Sequence, residues 1–250
     1  MTNKYKYFVA NWKMFGELKS VKSINKVINF SKRRIFNKAR IIYCPPYTLI
    51  NIFINKLKKS KIYVGAQNCH FKKDNGPHTG SISSKMIKDL GCRYVIVGHS
   101  ENRQEGETDL LLNKKIQSCL KNSLKIIFCI GENLKEKKNK KTNKILFNQI
   151  TKGLKGIKNI NNIIIAYEPV WSIGTGVIPK KKELKENIFF IKKILKNKFK
   201  KKYFSVLYGG SVSPDNIKEL KDIKEIDGFL IGGSSQDSKK FIDIIKKTYI

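Results

Sequence analysis

Eight short apolar runs, spread along the whole chain, restrict what this sequence can fold into more than any other feature. The segments between them are rich in lysine and carry apolar residues at helical spacing, as at Val21, Ile24 and Val27. Strands that alternate with helices form parallel sheets joined by right-handed crossovers. The predicted strands cover residues 5–12, 40–44, 62–66, 94–98, 124–130, 163–167, 204–210 and 228–233.

Eight strand–helix units in 250 residues match the usual size of a closed (β/α)8 barrel. An open, doubly wound sheet is the alternative, but the sequence lacks the glycine-rich turn that would open a helix after the first strand of such a sheet. No proline- or serine-rich linker divides the chain. We therefore expect the α/β class, with residues 1–250 forming a single barrel domain.

The net charge of +33 is the strongest signal in the composition, and a basic surface is typical of proteins that bind nucleic acids or anionic membranes. Lysine supplies nearly all of this charge, whereas bidentate contacts to phosphates and guanines favour arginine. Lysine, asparagine and isoleucine are all abundant, which A- and T-rich codons would produce. We therefore expect the lysine runs at residues 135–144 and 192–202 to be solvated, with no specific nucleic-acid partner.

The sequence predicts no membrane segment, metal site or cofactor. No apolar run reaches the roughly 18 residues of a membrane span, and residues 1–13 lack the order of a signal peptide. The cysteines have no CxxC spacing that would indicate zinc or a redox dithiol. We expect a cytoplasmic protein with reduced, packed thiols at Cys44, Cys69, Cys92, Cys119 and Cys129.

Glu168 is the most informative single residue. In "AYEPVWSIGTG" (residues 166–176) it directly follows the apolar run "IIIAY", at the carboxyl end of the sixth predicted strand. A barrel places its reacting groups at these strand ends. A surface carboxylate is the alternative interpretation, but partial burial at a strand end would raise the pKa of the carboxyl group towards the range that suits a general base.

Polar residues also follow other predicted strands. His99 directly follows "YVIVG", where a neutral imidazole could deliver a proton to a substrate oxygen. Lys13 ends the first strand together with Asn11, and its cation could stabilise a developing enolate oxygen. His70 and His78 lie in a polar loop and are expected to be solvated or at an interface. The loops after the last two strands are typical of phosphate binding through backbone N–H groups, and they contain Ser211, Gly232 and Gly233.

The segments "ANWKM", "AQNC", "VGHSE", "CIGE", "AYEPVWSIGTG", "YGGSV" and "GGSS" follow one another in the order and spacing of the triosephosphate isomerases, and the resemblance spans essentially the whole chain. It implies a TIM barrel that interconverts dihydroxyacetone phosphate and glyceraldehyde 3-phosphate through an enediol(ate), a step of glycolysis and gluconeogenesis. By this resemblance Glu168 is the base and His99 the acid, while Asn11 and Lys13 hold the substrate. The residues that would bind the phosphate are Gly174, Ser211, Gly232 and Gly233.

The resemblance also implies a moving lid and a homodimer. The segment "PVWSIGTG", which follows Glu168, would close over the phosphate and exclude water, so that the enediol is protonated before phosphate is eliminated. In such dimers the loop after the third strand inserts beside the partner's substrate site. Here this loop covers residues 67–83, with Gln67 at its start and Ser83 at its end, and Thr79 is expected to reach across.

The sequence departs from the family pattern in three places. Ser81 and Asn102 stand where relatives carry a glutamate and an arginine that approach each other, so no charge is left unpaired but the support of the dimer loop is changed. The segment between His99 and Gly106 is one residue short, so we expect reduced stability with the reaction intact. The far hinge of the lid, at residues 177–178, is also shortened, and we expect altered opening rates.

Three other functions stay open at this point. They are a barrel that kept its phosphate-binding loops without catalysis, a basic surface that adheres to polyanions, and a different phosphate-binding barrel. The joint presence of Asn11, Lys13, His99 and Glu168 favours the isomerase. An activity assay distinguishes the isomerase from a barrel without catalysis, and retention on nucleic acid at high salt tests the surface that adheres to polyanions.

Overall fold

The computed structural model describes residues 5–201 and 203–250, so residues 1–4 and Lys202 lie outside the described residues. Its eight parallel strands form a closed barrel in sequential order, with β1 paired to both β2 and β8. The strands are β1 (Lys6–Asn11), β2 (Ala39–Cys44), β3 (Tyr63–Ala66), β4 (Tyr94–Val97), β5 (Lys125–Ile130), β6 (Ile163–Tyr167), β7 (Val206–Tyr208) and β8 (Gly228–Ile231).

Helices cover the outside of the barrel. Short 3-10 turns at Leu18–Ser23, Arg34–Phe36, Val170–Ser172 and Gly233–Ser235 supplement them. The α-helices are α1 (Ile24–Ser31), α2 (Tyr47–Leu57), α3 (Ser84–Asp89), α4 (Ser100–Gln104), α5 (Asp109–Lys121), α6 (Leu134–Lys138), α7 (Thr142–Gly153), α8 (Lys181–Phe199), α9 (Ile217–Lys221) and α10 (Ser238–Tyr249).

Alternate residues along each strand face two separate apolar layers, as the period of two in a strand requires. Val9 is in register with Ile42 of β2 and Leu230 of β8, and all three belong to the cluster that fills the barrel interior. The neighbouring Phe8 belongs to the larger cluster between the strands and the helices. The barrel is therefore packed with side chains, and an open site can form only beyond the strand ends.

The predicted fold is confirmed. Each of the eight predicted strands contains an observed one, apart from Ala39, which adds one residue to the start of β2. Four predicted strands, the first, fourth, seventh and eighth, run past the observed end into the following loop; Gly98, for example, has a φ of 76°, outside the range of a strand. α8 buries Ile188, Ile191 and Ile194, which recur at helical spacing in the sequence.

Two further sequence predictions concern thiols and membrane segments. All five cysteines are free and buried. Within residues 5–201 and 203–250, no helix is long and apolar enough to cross a membrane. The lysine run at residues 135–144 is mostly exposed and the run at residues 192–202 largely so, although the last residue of the second run, Lys202, lies outside the described residues.

Candidate active site

All the residues that the sequence predicted for the site lie around one cleft of about 230 Å³ at the carboxyl ends of the strands. They come from the loops after β1, β4, β6, β7 and β8, because strand ends of a closed parallel barrel converge on one rim. The predicted residues in its lining are Asn11, Lys13, His99, Glu168, Gly174, Ser211, Gly232 and Gly233.

Glu168 lies directly after β6, and only 2% of its surface is exposed. Its Oε2 accepts a hydrogen bond from the backbone N–H of Ser100 at 3.3 Å, and its Oε1 lies 3.4 Å from Nε2 of His99. Burial raises the pKa of the Glu168 carboxyl group above its ordinary value, although His99, the Ser100 N–H, the Cys129 thiol and Lys13 all oppose that shift. The result is a buried carboxylate with a strengthened affinity for protons.

His99 directly follows Gly98 after β4 and caps the first turn of α4. Its Nδ1 accepts the backbone N–H of Glu101 at 3.3 Å, so in the neutral ring the proton belongs on Nε2. Nε2 points towards the carboxylate of Glu168. The backbone of α4 therefore orients the imidazole as a hydrogen-bond donor towards the cleft.

Lys13 adopts a left-handed backbone conformation, with a φ of 55°, which is strained for a residue with a side chain. Two contacts hold it there: its N–H donates to Oδ1 of Asn11 at 3.1 Å, and its carbonyl accepts from Nε2 of Gln67 at 2.8 Å. Its Nζ lies 2.6 Å from Oε1 of Glu101. The ammonium group is thus fixed beside the cleft by elements from three strand ends.

Glycines in the lining of the cleft let the backbone lie close to catalytic side chains or to open space. A Cβ on Gly209 would lie 2.8 Å from Cγ of Glu168, and one on Gly232 would lie 3.4 Å from Cε of Lys13. A Cβ on Gly233 would meet no atom within 4 Å, since this glycine borders open space. The backbone at Gly233 is therefore open to an anion in the cleft, whereas the N–H of Ser211, which also lines the cleft, donates to Oγ of Ser172 at 3.3 Å.

The segment after Glu168 is attached to the rim near its start, at Trp171 and Ser172. The indole N–H of Trp171 donates to Oε1 of the buried Glu132 at 3.0 Å, and Nζ of Lys137 lies 3.5 Å from the Trp171 ring centroid. The hydroxyl of Ser172 lies 2.9 Å from that of Tyr208. Beyond these contacts the chain turns at Gly174 and Gly176, which have φ values of 71° and 78°. The tip is therefore free of packing while its base is attached.

A second cleft of about 440 Å³ adjoins the first and shares Asn11, Lys13 and His99 with it. Ser81 and Asn102, the two departures from the family pattern, both line this cleft. Neither carries a charge, so the loss of the glutamate and arginine leaves no buried unpaired ion. The shortened segment after His99 is braced by an arginine of α4, Arg103, which donates to the carbonyls of Gly98 and Cys129 and pairs with Asp109 at 2.8 Å.

Four residues that hold the site together were not predicted from the sequence. Ser100 binds Glu168, Gln67 and Glu101 fix Lys13, and the Cys129 thiol contacts Glu168. All four lie within the quoted segments "AQNC", "VGHSE" and "CIGE", but two of the contacts use backbone groups, which leave no trace in residue type. No group of three or more metal-binding side chains occurs among the described residues.

Comparisons with known proteins agree with this geometry. A family profile described as "Triosephosphate isomerase" matches residues 6–248. The triosephosphate isomerase of Dictyoglomus thermophilum is 40% identical over 248 residues, covering 96% of this chain and 98% of the relative. That of Thermodesulfovibrio yellowstonii is 41% identical over 245 residues, with the same coverage. The chain belongs to the triosephosphate isomerase family.

The crystal structure of triosephosphate isomerase from Bartonella henselae superposes on this barrel with a TM-score of 0.88 and 34% identity, covering 97% of this chain and 98% of that one. Membership of the triosephosphate isomerase family makes the protein an intramolecular oxidoreductase, an aldose–ketose isomerase of glycolysis. The recognition made from the seven sequence segments is confirmed.

Proposed function

We propose that this chain interconverts dihydroxyacetone phosphate and D-glyceraldehyde 3-phosphate with Glu168 as the general base and His99 as the general acid. One observation carries the assignment: Oε1 of Glu168 and Nε2 of His99 lie 3.4 Å apart and border the same cleft. Oε1 is buried and has no hydrogen-bond partner among the described residues, so its lone pairs are available for a substrate proton.

The proton transfers balance with these two groups alone. Glu168 takes a proton from C1 of dihydroxyacetone phosphate, and the electron pair moves onto the carbonyl oxygen at C2. His99 donates its Nε2 proton to that oxygen and then recovers a proton from the oxygen at C1. Glu168 returns its proton to C2, which gives the aldehyde. Lys13 stabilises the negative charge that develops on the oxygens, assisted by Asn11.

The phosphate is held by Ser211 and by the backbone N–H groups of Gly232 and Gly233, together with Gly174 of the lid. These residues line the cleft, and the glycines let the backbone approach the anion. Closure of the lid excludes water, so that the enediolate is protonated before it can expel phosphate. The reaction requires neither a metal ion nor a cofactor.

The functional unit is a homodimer in which the loop over residues 67–83 inserts beside the partner's substrate site. The second cleft beside Lys13 supports this proposal, because it offers room for the tip of a partner loop. Met14 and Phe15, which follow Lys13, are 95% and 59% exposed in the single chain. Such exposed apolar side chains are typical of a surface that is covered by a partner.

Residues 1–250 form one domain that works in the cytoplasm. The closed barrel from β1 to β8 supports a single domain, because no strand can be removed without opening the sheet. Five buried free thiols support a reducing compartment.

A coupled assay of glyceraldehyde 3-phosphate isomerisation tests the function, with Glu168→Asp and His99→Gln beside the wild type. We expect fast turnover that falls at least about 100-fold in each variant, because a displacement of about 1 Å of a reacting group costs this much. An inactive wild type that folds and binds phosphate would identify a barrel that lost its chemistry. Full activity in Glu168→Asp would contradict the assignment of the base.

A further inference from the structure

A large basic cleft lies at the amino-terminal ends of the strands, on the face of the barrel opposite the active site. It is bounded by Lys6 at the start of β1, by Ser205 just before β7 and by Asp227 just before β8. Its volume is about 1010 Å³, several times that of the catalytic cleft. This volume lies at the upper end of the range of about 300–1,000 Å³ that is usual for small-molecule sites.

Lysines dominate the lining of this basic cleft, and its carboxylates form an ion pair with only one of the described lysines there, Lys192. Asp227 Oδ2 accepts the N–H of Val206 at 2.9 Å and lies 2.9 Å from Nζ of Lys192. Glu225 lies 3.5 Å from Lys185, which lies outside the lining. These are the only two acidic residues among the described lining, against the lysines Lys6, Lys38, Lys192, Lys193, Lys196, Lys201, Lys221 and Lys224.

The helix α8 concentrates charge and an aromatic ring on one side of the basic cleft. Phe189, Lys193 and Lys196 recur at helical spacing on the face opposite the buried isoleucines. Both lysines are exposed, and neither forms an ion pair with another described residue. Phe189 is 64% exposed, and Tyr203 on the same lining is 42% exposed. Exposed rings that border a groove are typical of ligand-binding surfaces, and the neighbouring lysines would favour an anion there.

The buried part of the basic cleft is already short of negative charge. Nζ of Lys6 donates to the carbonyl of Ile226 at 2.7 Å, which is a neutral acceptor. Burial lowers the pKa of Lys6, Asp227 opposes this shift, and repulsion from Lys192 adds to it. An anion that enters here therefore relieves repulsion among the lysines as well as forming its own contacts.

We propose that this basic cleft binds a small anion that carries a chain of phosphates, such as a nucleoside triphosphate or inorganic polyphosphate. Lysine ammonium groups bind phosphate as point charges and need no planar geometry. A concave lining suits a compact ligand better than a flat membrane surface, and Phe189 offers a face on which a nucleobase can stack. Tripolyphosphate and ATP share the phosphate chain, but only ATP carries a nucleobase. A comparison of their binding therefore distinguishes a nucleotide from inorganic polyphosphate as the ligand.

Calorimetric titration of the full chain tests the proposal, with tripolyphosphate or magnesium-free ATP at 150 mM KCl. Excess glycerol 3-phosphate keeps the catalytic cleft occupied, so the result does not depend on the proposed catalytic residues. We expect saturable binding of one ligand per chain. Lys193→Ser/Lys196→Ser should weaken it about tenfold, since each exposed ion pair contributes a modest share of the binding energy.

The matched control is Lys144→Ser/Lys152→Ser on α7, which removes the same charge from exposed lysines outside the basic cleft. Binding should stay within about twofold of the wild type, and the isomerase activity of both variants should be unchanged.

Phe189→Ala distinguishes the two ligands. If the ligand is a nucleotide, the substitution should weaken the binding of ATP but not that of tripolyphosphate. If the ligand is polyphosphate, it should weaken the binding of neither. Equal loss in the α7 control, or no saturable binding, would overturn the proposal. Tight binding of oligouridylate without binding of ATP or tripolyphosphate would instead assign the basic cleft to single-stranded nucleic acid.

Discussion

Oε1 of Glu168 lies 3.4 Å from Nε2 of His99, and no described residue donates a hydrogen bond to that oxygen. The other carboxylate oxygen is tethered to the backbone N–H of Ser100. One oxygen therefore fixes the position of the carboxylate, while the other is left for a proton. The Glu168 side chain is therefore buried with only one of its two oxygens hydrogen-bonded to a described residue. This arrangement affects the pH dependence of catalysis and the stability of the fold.

The acid limb of kcat/KM should lie above the ordinary carboxyl range, because burial raises the pKa of Glu168 above 4.5 and protonation removes the base. The neighbouring Cys129 thiol, whose own pKa burial holds well above its usual range, opposes that shift in the pKa of Glu168. Cys129→Ala should therefore move the limb to higher pH. Since both enzymes are assayed with the same substrate, ionisation of the substrate phosphate cancels. A limb that moves to lower pH would contradict this prediction.

Glu168→Gln should stabilise the inactive protein at neutral pH. The folded-state pKa of Glu168 is raised, so its contribution to the free energy of unfolding is fully present below the unfolded pKa and is lost as the pH rises through the folded pKa. Above that window the wild type carries a buried charge that the amide avoids. We expect a gain of about 2–4 °C in Tm, equivalent to about 1 kcal/mol in a chain of this size.

Melting curves between pH 4 and pH 8 check the Glu168→Gln prediction. The gain should shrink towards acid pH, where the wild-type carboxyl group is protonated. Glu186→Gln, which changes an exposed carboxylate on α8, is the control and should show no such trend. A gain that grows towards acid pH would reverse the sign of the inferred shift.

Gly209→Ala should lower kcat about 100-fold, because a displacement of about 1 Å at the base costs this much. The new Cβ would lie 2.8 Å from Cγ of Glu168, so the carboxylate must move. Gly233→Ala adds a Cβ that meets no protein atom within 4 Å, and it should act at the phosphate end by raising KM. Steady-state kinetics separates the two effects. Wild-type kcat in Gly209→Ala would show that Glu168 tolerates the displacement.

Ser172→Ala should loosen the lid. The Ser172 hydroxyl is buried, lies 2.9 Å from that of Tyr208 and accepts the N–H of Ser211 at 3.3 Å. Loss of these contacts should lower kcat/KM about 2–10-fold, the usual worth of one hydrogen bond. Thr175→Ala is the control, because the Thr175 hydroxyl bonds only to the lid's own backbone.

The effect of the shortened far hinge on lid opening can be measured with the same Ser172→Ala variant, through the dependence of kcat on solvent viscosity. If lid opening limits turnover in the wild type, kcat should fall with solvent viscosity, and the looser Ser172→Ala lid should weaken that dependence. A wild-type kcat that is independent of viscosity would mean that chemistry limits turnover, and it would contradict control by the hinge.

Thr79→Arg should dissociate the proposed dimer, because it places a cation beside the partner's Lys13. We expect sedimentation as a monomer and a specific activity that falls at least about tenfold, since the substrate-site loops lose their support. Asn75→Arg adds the same charge at an exposed position of the same loop and is the control. A wild type that sediments as a fully active monomer would rule out the dimer proposal.

The sequence by itself determined the barrel and the order of its site. Short apolar runs and helical spacing are local patterns, so they marked all eight strands and the buried face of α8. Because parallel strands end at one rim, the residues after them, from Asn11 to Gly233, could be grouped before any distance was known. Strand ends were less well predicted, since glycine turns continue the apolar pattern.

Only the tertiary structure decided how those residues act on one another. The strained backbone of Lys13, the Ser100 N–H that holds Glu168 and the glycine clearance at Gly209 depend on contacts between distant segments. The basic cleft also has no sequence signal of its own, because its lysines come from β1, α8, α9 and the loops between them and are hidden among many solvated ones. The sequence gives the charge and type of each residue directly, whereas burial and the distances between residues are set only when the barrel folds.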